Sequence, residues 1–106
     1  MSDIELKVLA RFKDLLSSRI VKYSIVLFGS RARGDSDQYS DMDIIVILDD
    51  NPLQSNEEFV DRCAWESGYE YGIVLVPIVF TRKEWESSIT QCSMLYRAVA
   101  MEGVAV

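Results

Sequence analysis

Histidine is absent from the 106 residues, so any metal held by this chain must be bound through oxygen ligands or through its two thiols. Those thiols, Cys63 and Cys92, lack C-x-x-C spacing and each falls in an apolar helical pattern, which reads as two buried free thiols instead of a zinc site. Such thiols suit a reducing cytoplasm. Basic residues are the minority, 11 Lys and Arg against 17 Asp and Glu, for a net charge of −6. The field of the whole molecule therefore repels a polyanion, which argues against direct nucleic-acid binding but lets a small anion enter through a metal or a local pair of arginines. Long apolar runs are missing too. The longest, "IVLVPIVF" from Ile73 to Phe80, is too short to span a bilayer, and "MSDIELKVLARFKDLLSSRI" at the start mixes charge through its apolar positions. The expectation is a cytoplasmic, unprocessed protein with no membrane partner.

What is present, 49% hydrophobic and 26% charged residues, is the balance of a soluble globular protein. The length fits a single domain, 1–106, around one core. Ser2 and Glu5 have capping-box spacing, and Ile4, Val8, Leu9, Phe12, Leu15, Leu16 and Ile20 follow at helical intervals, predicting a first helix that ends near Ser18. "KYSIVLF", Lys22 to Phe28, is β-branched and aromatic and predicts a strand ending at Gly29. "MDIIVIL", Met42 to Leu48, is apolar on both faces after Asp43 and predicts a central, doubly covered strand. Ser55 with Glu58 repeats the cap spacing ahead of a helix closing at Gly68. Ile73 to Phe80 predicts a third strand, at an edge or bulged because Pro77 cannot donate to a ladder. Thr81 and Glu84 cap a helix through about Ser88, and "SMLYRAVAMEG" a last one closed by Gly103. The strand–helix–strand passage is long enough for a parallel crossover, whereas the link between the first two strands permits either direction. The fold class that follows is α/β, a small mixed sheet of three or four strands flanked by helices.

The stretch "FGSRARGDSDQYSDMDIIVIL", Phe28 to Leu48, carries the chemistry. Asp41 and Asp43 are two apart on extended backbone, so both carboxylates face the same side with Cα atoms roughly 6–7 Å apart. Two like charges beside an apolar strand disfavour folding unless neutralised, which Mg²⁺ does with oxygen ligands while keeping positions open for phosphate and water. An Asp-x-Asp alone is more often a solvated strand end. Upstream, the strand ends in Gly29-Ser30, small residues that let backbone N–H groups approach an anion, with the Ser30 hydroxyl and Arg31 or Arg33 as further phosphate donors. Together these make complementary halves of one site: anion donors at one strand end, a metal at the start of the next. A nucleoside triphosphate with bound Mg²⁺ is the natural occupant.

Gly29-Ser30, ten residues, then Asp41-x-Asp43 resembles the signature of the DNA polymerase beta-like nucleotidyltransferase superfamily. The fuller run Gly29, Ser30, Ala32, Arg33, Gly34, Ser40, Asp41 and Asp43 is similar to its minimal nucleotidyltransferase (MNT) branch, and "LYRAVAMEGVAV" resembles the end of that branch. The resemblance implies the polymerase beta-like fold, with Gly29, Ser30 and Arg33 binding nucleotide and Asp41 and Asp43 as catalytic, Mg²⁺-binding residues. It further implies an antitoxin of a toxin–antitoxin pair that transfers AMP from ATP to a tyrosine hydroxyl of a HEPN-type partner protein. An acidic, undersized domain without an acceptor-binding subdomain fits a protein acceptor better than a small drug or nucleic acid.

The sequence departs from that pattern at the third carboxylate, for which the family uses the strand that here is "IVLVPIVF". No acidic residue lies between Ile73 and Phe80, and Val74 is the expected vacant position. Either Glu70 or a carboxylate from the partner takes the proton, or the domain is a catalytically weak module that neutralises its partner by binding. Trp65, Tyr69, Tyr71, Trp85, Met94, Tyr96 and Met101 stand at core-like helical spacing and are expected inside. Oligomeric state is left open.

Overall fold

The computed structural model describes residues 2–33, 41–49 and 54–106, the side chains of Ser30, Arg33, Gln54 and Ser55 excepted. Helix α1 runs Asp3–Ser17 and opens with the expected capping box: the Ser2 hydroxyl accepts the Glu5 N–H, and the Glu5 carboxylate accepts the Ser2 N–H. A cap of this kind is worth about 1 kcal/mol. Its apolar stripe Val8, Leu9, Phe12 and Leu16 is buried, whereas Ile4 at the first turn is half exposed.

Strand β1 is Tyr23–Phe28 and β2 is Met42–Leu48. They pair antiparallel, Tyr23 opposite Leu48 and Phe28 opposite Asp43, which resolves the direction that a short link permits but does not impose. The four-residue helix α2, Ser30–Arg33, follows β1 directly. Helix α3, Gln54–Tyr69, already includes Ser55, so the Ser55 and Glu58 pair lies within it instead of starting it. The Gly68 carbonyl accepts from both Tyr71 and Ile73, and the helix stops one residue past the expected closure.

Strand β3, Leu75–Thr81, pairs parallel with β2, so the crossover is as predicted. It begins two residues later than expected, because its ladder starts opposite Met42. The sheet order is β3-β2-β1-β4, which makes β3 an edge and β2 central. The Val74 carbonyl accepts the Met42 N–H. In a parallel ladder the same parity continues, so Pro77 turns its missing donor to the open edge, where it costs no ladder bond and discourages a further strand.

The C-terminal third differs most from expectation. The helix capped by Thr81 and Glu84 is only α4, Arg82–Trp85, and does not reach Ser88. Ser87 caps a separate turn, α5 (Ser88–Gln91), and Ser93 caps α6 (Met94–Glu102). Each hydroxyl takes an N–H at the start of its own turn and donates to the carbonyl three residues back, so three short helices stand where two were expected. Gly103 ends α6 in an extended conformation, where a Cβ would collide with the Val99 carbonyl and the Val26 side chain. This close approach lets the chain enter β4, Val104–Ala105, antiparallel to β1. Two residues are too short to leave an alternating signal in the sequence.

The core lies mainly on one face of the sheet. Ile25, Leu27, Met42, Ile44, Val46 and Leu48 pack against α1 and α3 through Phe12, Leu16, Val60, Cys63 and Ala64. The other face, Val26, Phe28, Ile45, Ile47, Ile78 and Phe80, meets Trp85, Leu95 and Val99. Cys63 is buried and Cys92 exposed, and both are free thiols, so half of that expectation is overturned. Trp65, Tyr69, Met94 and Met101 are also exposed, against the expectation of core placement. Helical spacing identifies a stripe but not which side meets the sheet. Trp65 and Tyr69 instead stack on each other with ring centroids 4.9 Å apart. Trp85, Tyr71 and Tyr96 are half-buried. No helix among the described residues is long and apolar enough to cross a membrane.

Candidate functional site

Antiparallel pairing of β1 with β2 joins the two halves of the Phe28 to Leu48 stretch in space. Because Phe28 stands opposite Asp43, the chain leaving β1 at Gly29 passes directly over that carboxylate. Gly29 has φ +81°, a left-handed conformation that favours glycine, and a Cβ there would sit 2.9 Å from Asp43 Oδ2. The glycine thus supplies both the turn and the room for the acid. The turn is closed by the Ala32 N–H donating to the Gly29 carbonyl at 3.1 Å, the start of α2. Ser30 and Arg33 are the first and last residues of α2; their side chains, and Gly34 and Ser40, lie outside what the structure describes.

Asp41 is exposed and Asp43 half-buried. Desolvation by burial, with the like charge of Asp41 second, pushes the Asp43 carboxyl above the ordinary carboxylate range. Asp43 lies on the face that it shares with the buried Ile45 and Ile47, at the end of β2 where cover is only partial. A divalent cation between the two acids would relieve both causes, and the donor set, two carboxylates beside an open turn, suits a hard cation that keeps positions for phosphate and water.

On the neighbouring strand, Val76 is the register partner of Asp43, and one step back the 60% exposed Val74 is level with Asp41. The ladder therefore flanks the acid pair with valines at both levels. Glu70 is exposed in the turn between α3 and β3. Among the described residues no three His, Cys, Asp or Glu gather into a cluster that could hold a metal.

Arg31 is committed elsewhere. Its Nη1 donates to Glu5 Oε2 at 3.3 Å, and the side chains of Arg31 and Glu5 are only 6% and 10% exposed. Of the two arginines considered as phosphate clamps, this one is held by α1. Glu5 and Arg31 form the feature the sequence reading missed. Glu5 was already explained as the third residue of a capping box, and nothing in the spacing shows that its second oxygen has a partner 26 residues away.

Residues 7–104 match the nucleotidyltransferase domain family. Two Methanocaldococcus jannaschii proteins, provisionally named protein adenylyltransferases, are similar. One is 31% identical over 58 residues, 55% of this chain and 59% of the relative. The other is 38% identical over 61 residues, 58% of this chain and 60% of the relative. The chain thus spans about three fifths of the length of these curated relatives. Among solved structures, a toxin–antitoxin complex with AMP-PNP contains a chain that superposes with a TM-score of 0.61 at 22% identity, covering 91% of this chain and 69% of the other. A complex of tri-AMPylated Shewanella oneidensis HEPN toxin with MNT antitoxin gives 0.56 at 19% identity, covering 96% and 70%. At these identities the structural matches establish the fold.

Proposed function

The chain belongs to the nucleotidyltransferase domain family, and on that premise we propose that it binds ATP with Mg²⁺ and transfers AMP to a tyrosine hydroxyl of a HEPN-type partner protein, acting as its antitoxin. The single observation that carries the reading is the 2.9 Å approach of Asp43 Oδ2 to the Cβ position that Gly29 leaves empty. It supports the reading by bringing one of the two acids against the turn proposed to hold phosphate. The names of the relatives, which include protein adenylyltransferases and a complex with an AMPylated HEPN toxin, point to the same acceptor class.

Asp41 and Asp43 would hold Mg²⁺, which when bound neutralises phosphate charge and polarises the α-phosphate. Backbone N–H groups at Gly29 and Ser30, the Ser30 hydroxyl and Arg33 would hold the phosphate tail. The acceptor oxygen bonds to the α-phosphorus, the bond to the bridging α–β oxygen breaks, and pyrophosphate leaves. The acceptor's proton goes to Glu70 or to a carboxylate brought by the partner, since Val74 and Val76 offer none.

That pair of valines, which offers no third carboxylate, favours a second reading, a catalytically weak or inactive module that neutralises its partner by covering it. Incubation with ATP, Mg²⁺ and the HEPN protein, followed by intact-mass measurement, separates the two. The enzyme adds one or more AMP groups to the partner, and both Asp41→Ala and Asp43→Ala abolish the adduct. Stoichiometric inhibition without an adduct, unchanged by either substitution, selects the module.

A further inference from the structure

Glu5 divides its two carboxylate oxygens between distant parts of the chain. Oε1 accepts the Ser2 N–H at 2.9 Å and completes the cap of α1, while Oε2 accepts from Arg31 Nη1 at 3.3 Å. Arg31 is the second residue of α2, the turn that begins immediately after Gly29. The residue as a whole is only 8% exposed, an unusual place for an acid in a first helical turn, where solvent is normally available.

Burial raises the cost of the charge on Glu5, but the bonds from Ser2 and the Arg31 guanidinium outweigh it and hold the carboxyl below its ordinary range. A nearly buried ion pair adds little net stability over an apolar pair of similar size, yet it fixes the geometry of what it joins. Here it joins the N-terminus of α1 to the turn facing Asp43.

We propose that Glu5 is a positioning residue for the phosphate turn: by holding Arg31 against α1 it fixes the path of α2, and so the direction in which the backbone N–H groups after Gly29 present themselves to a triphosphate. This role rests on the nucleotide-binding reading above. It assigns Arg31 to the scaffold and leaves Arg33 as the arginine of the turn that meets phosphate.

The experiment measures Mg·ATP affinity by calorimetry and melting temperature in parallel for wild type, Glu5→Gln and Ser2→Ala. Glu5→Gln keeps an oxygen for the cap but removes the charge that holds Arg31, and Ser2→Ala weakens the same cap while leaving the ion pair intact. The expected result is affinity about tenfold or more weaker in Glu5→Gln. Ser2→Ala is expected to lower the melting temperature and keep wild-type affinity. Arg31→Gln should repeat the loss seen in Glu5→Gln, and the double variant should be no worse than either single one. Wild-type binding with unchanged affinity in Glu5→Gln overturns the positioning role and leaves the nucleotide reading intact. Equal losses of affinity in Ser2→Ala and Glu5→Gln also overturn it, because general loosening of α1 would then suffice. A wild-type protein without affinity for Mg·ATP overturns the functional reading itself, and this role with it.

Discussion

The two faces of the sheet are built from the same strands and do different work. On the face toward α1 and α3, Ile25, Leu27, Met42, Ile44, Val46 and Leu48 are all nearly or fully buried. On the opposite face Ile45 and Ile47 of the central strand are buried, but Val26, Phe28, Ile78 and Phe80 around them are only partly covered, by Trp85, Leu95 and Val99 of α4 and α6. Burial of a large apolar side chain contributes about 1.5–3 kcal/mol, so the first face supplies most of the stability. The second face bears Asp43 and, by alternation, Asp41. A carboxylate pair there can meet solvent, a cation and a phosphate tail, whereas on the first face it would be sealed beneath two helices. Partial cover at that end is thus a condition of the proposed chemistry.

The sharpest way to test the contrast is Asp43→Asn. It should lower AMP transfer on the order of 10²–10³-fold, the loss typical when one preorganised group that stabilises the transition state is removed, measured as adduct formed per unit time. The same substitution should raise the melting temperature without Mg²⁺. Because burial lifts the Asp43 carboxyl above its unfolded value, the folded state holds that proton more tightly. Stability is therefore greatest below the ordinary carboxylate range, is lost as pH rises through the raised value, and stays lost at neutral pH. Melting curves from acid to neutral pH should show the advantage of Asp43→Asn growing as pH rises. A loss of stability in the variant would break the contrast.

A smaller effect compares the faces directly. Ile44→Ala, on the sealed face, should cost about 3 kcal/mol in denaturant titration, and Ile78→Ala, on the thin face, about half of that. Equal costs would mean that both faces carry the fold. Gly29→Ala is expected to cost about as much stability as Ile78→Ala. A left-handed alanine costs about 1–2 kcal/mol, and the new methyl would have to displace the Asp43 carboxylate. Loss of Mg·ATP affinity out of proportion to the shift in melting temperature is expected, and a proportionate loss would place the turn outside the site.

Much of this was legible in the linear pattern, for local reasons. The capping boxes at Ser2 and Thr81, the apolar run of β2 and the exclusion of Pro77 from a central strand depend on neighbours within a few residues. The candidate acids were legible too, since two aspartates on extended backbone share a side whatever lies around them. The division of the C-terminal third into α4, α5 and α6 was less so, because a serine at helical spacing reads as a helix position until its hydroxyl is seen to cap a new turn. Exposure of Trp65, Tyr69, Met94 and Met101 was not legible, because periodicity does not say whether a neighbour covers the stripe.

By itself the sequence determined most of the elements as far as β3, the central place of β2 and the identity of the paired acids, all set by backbone preference and short-range periodicity. Only the tertiary structure decided that β1 runs antiparallel to β2, so that Gly29 lies over Asp43; that Val76 stands beside it; and that Glu5 reaches Arg31. The reason is physical: strand direction, register and an ion pair between distant residues follow from which apolar surfaces are buried together. That choice is made by the whole chain at once.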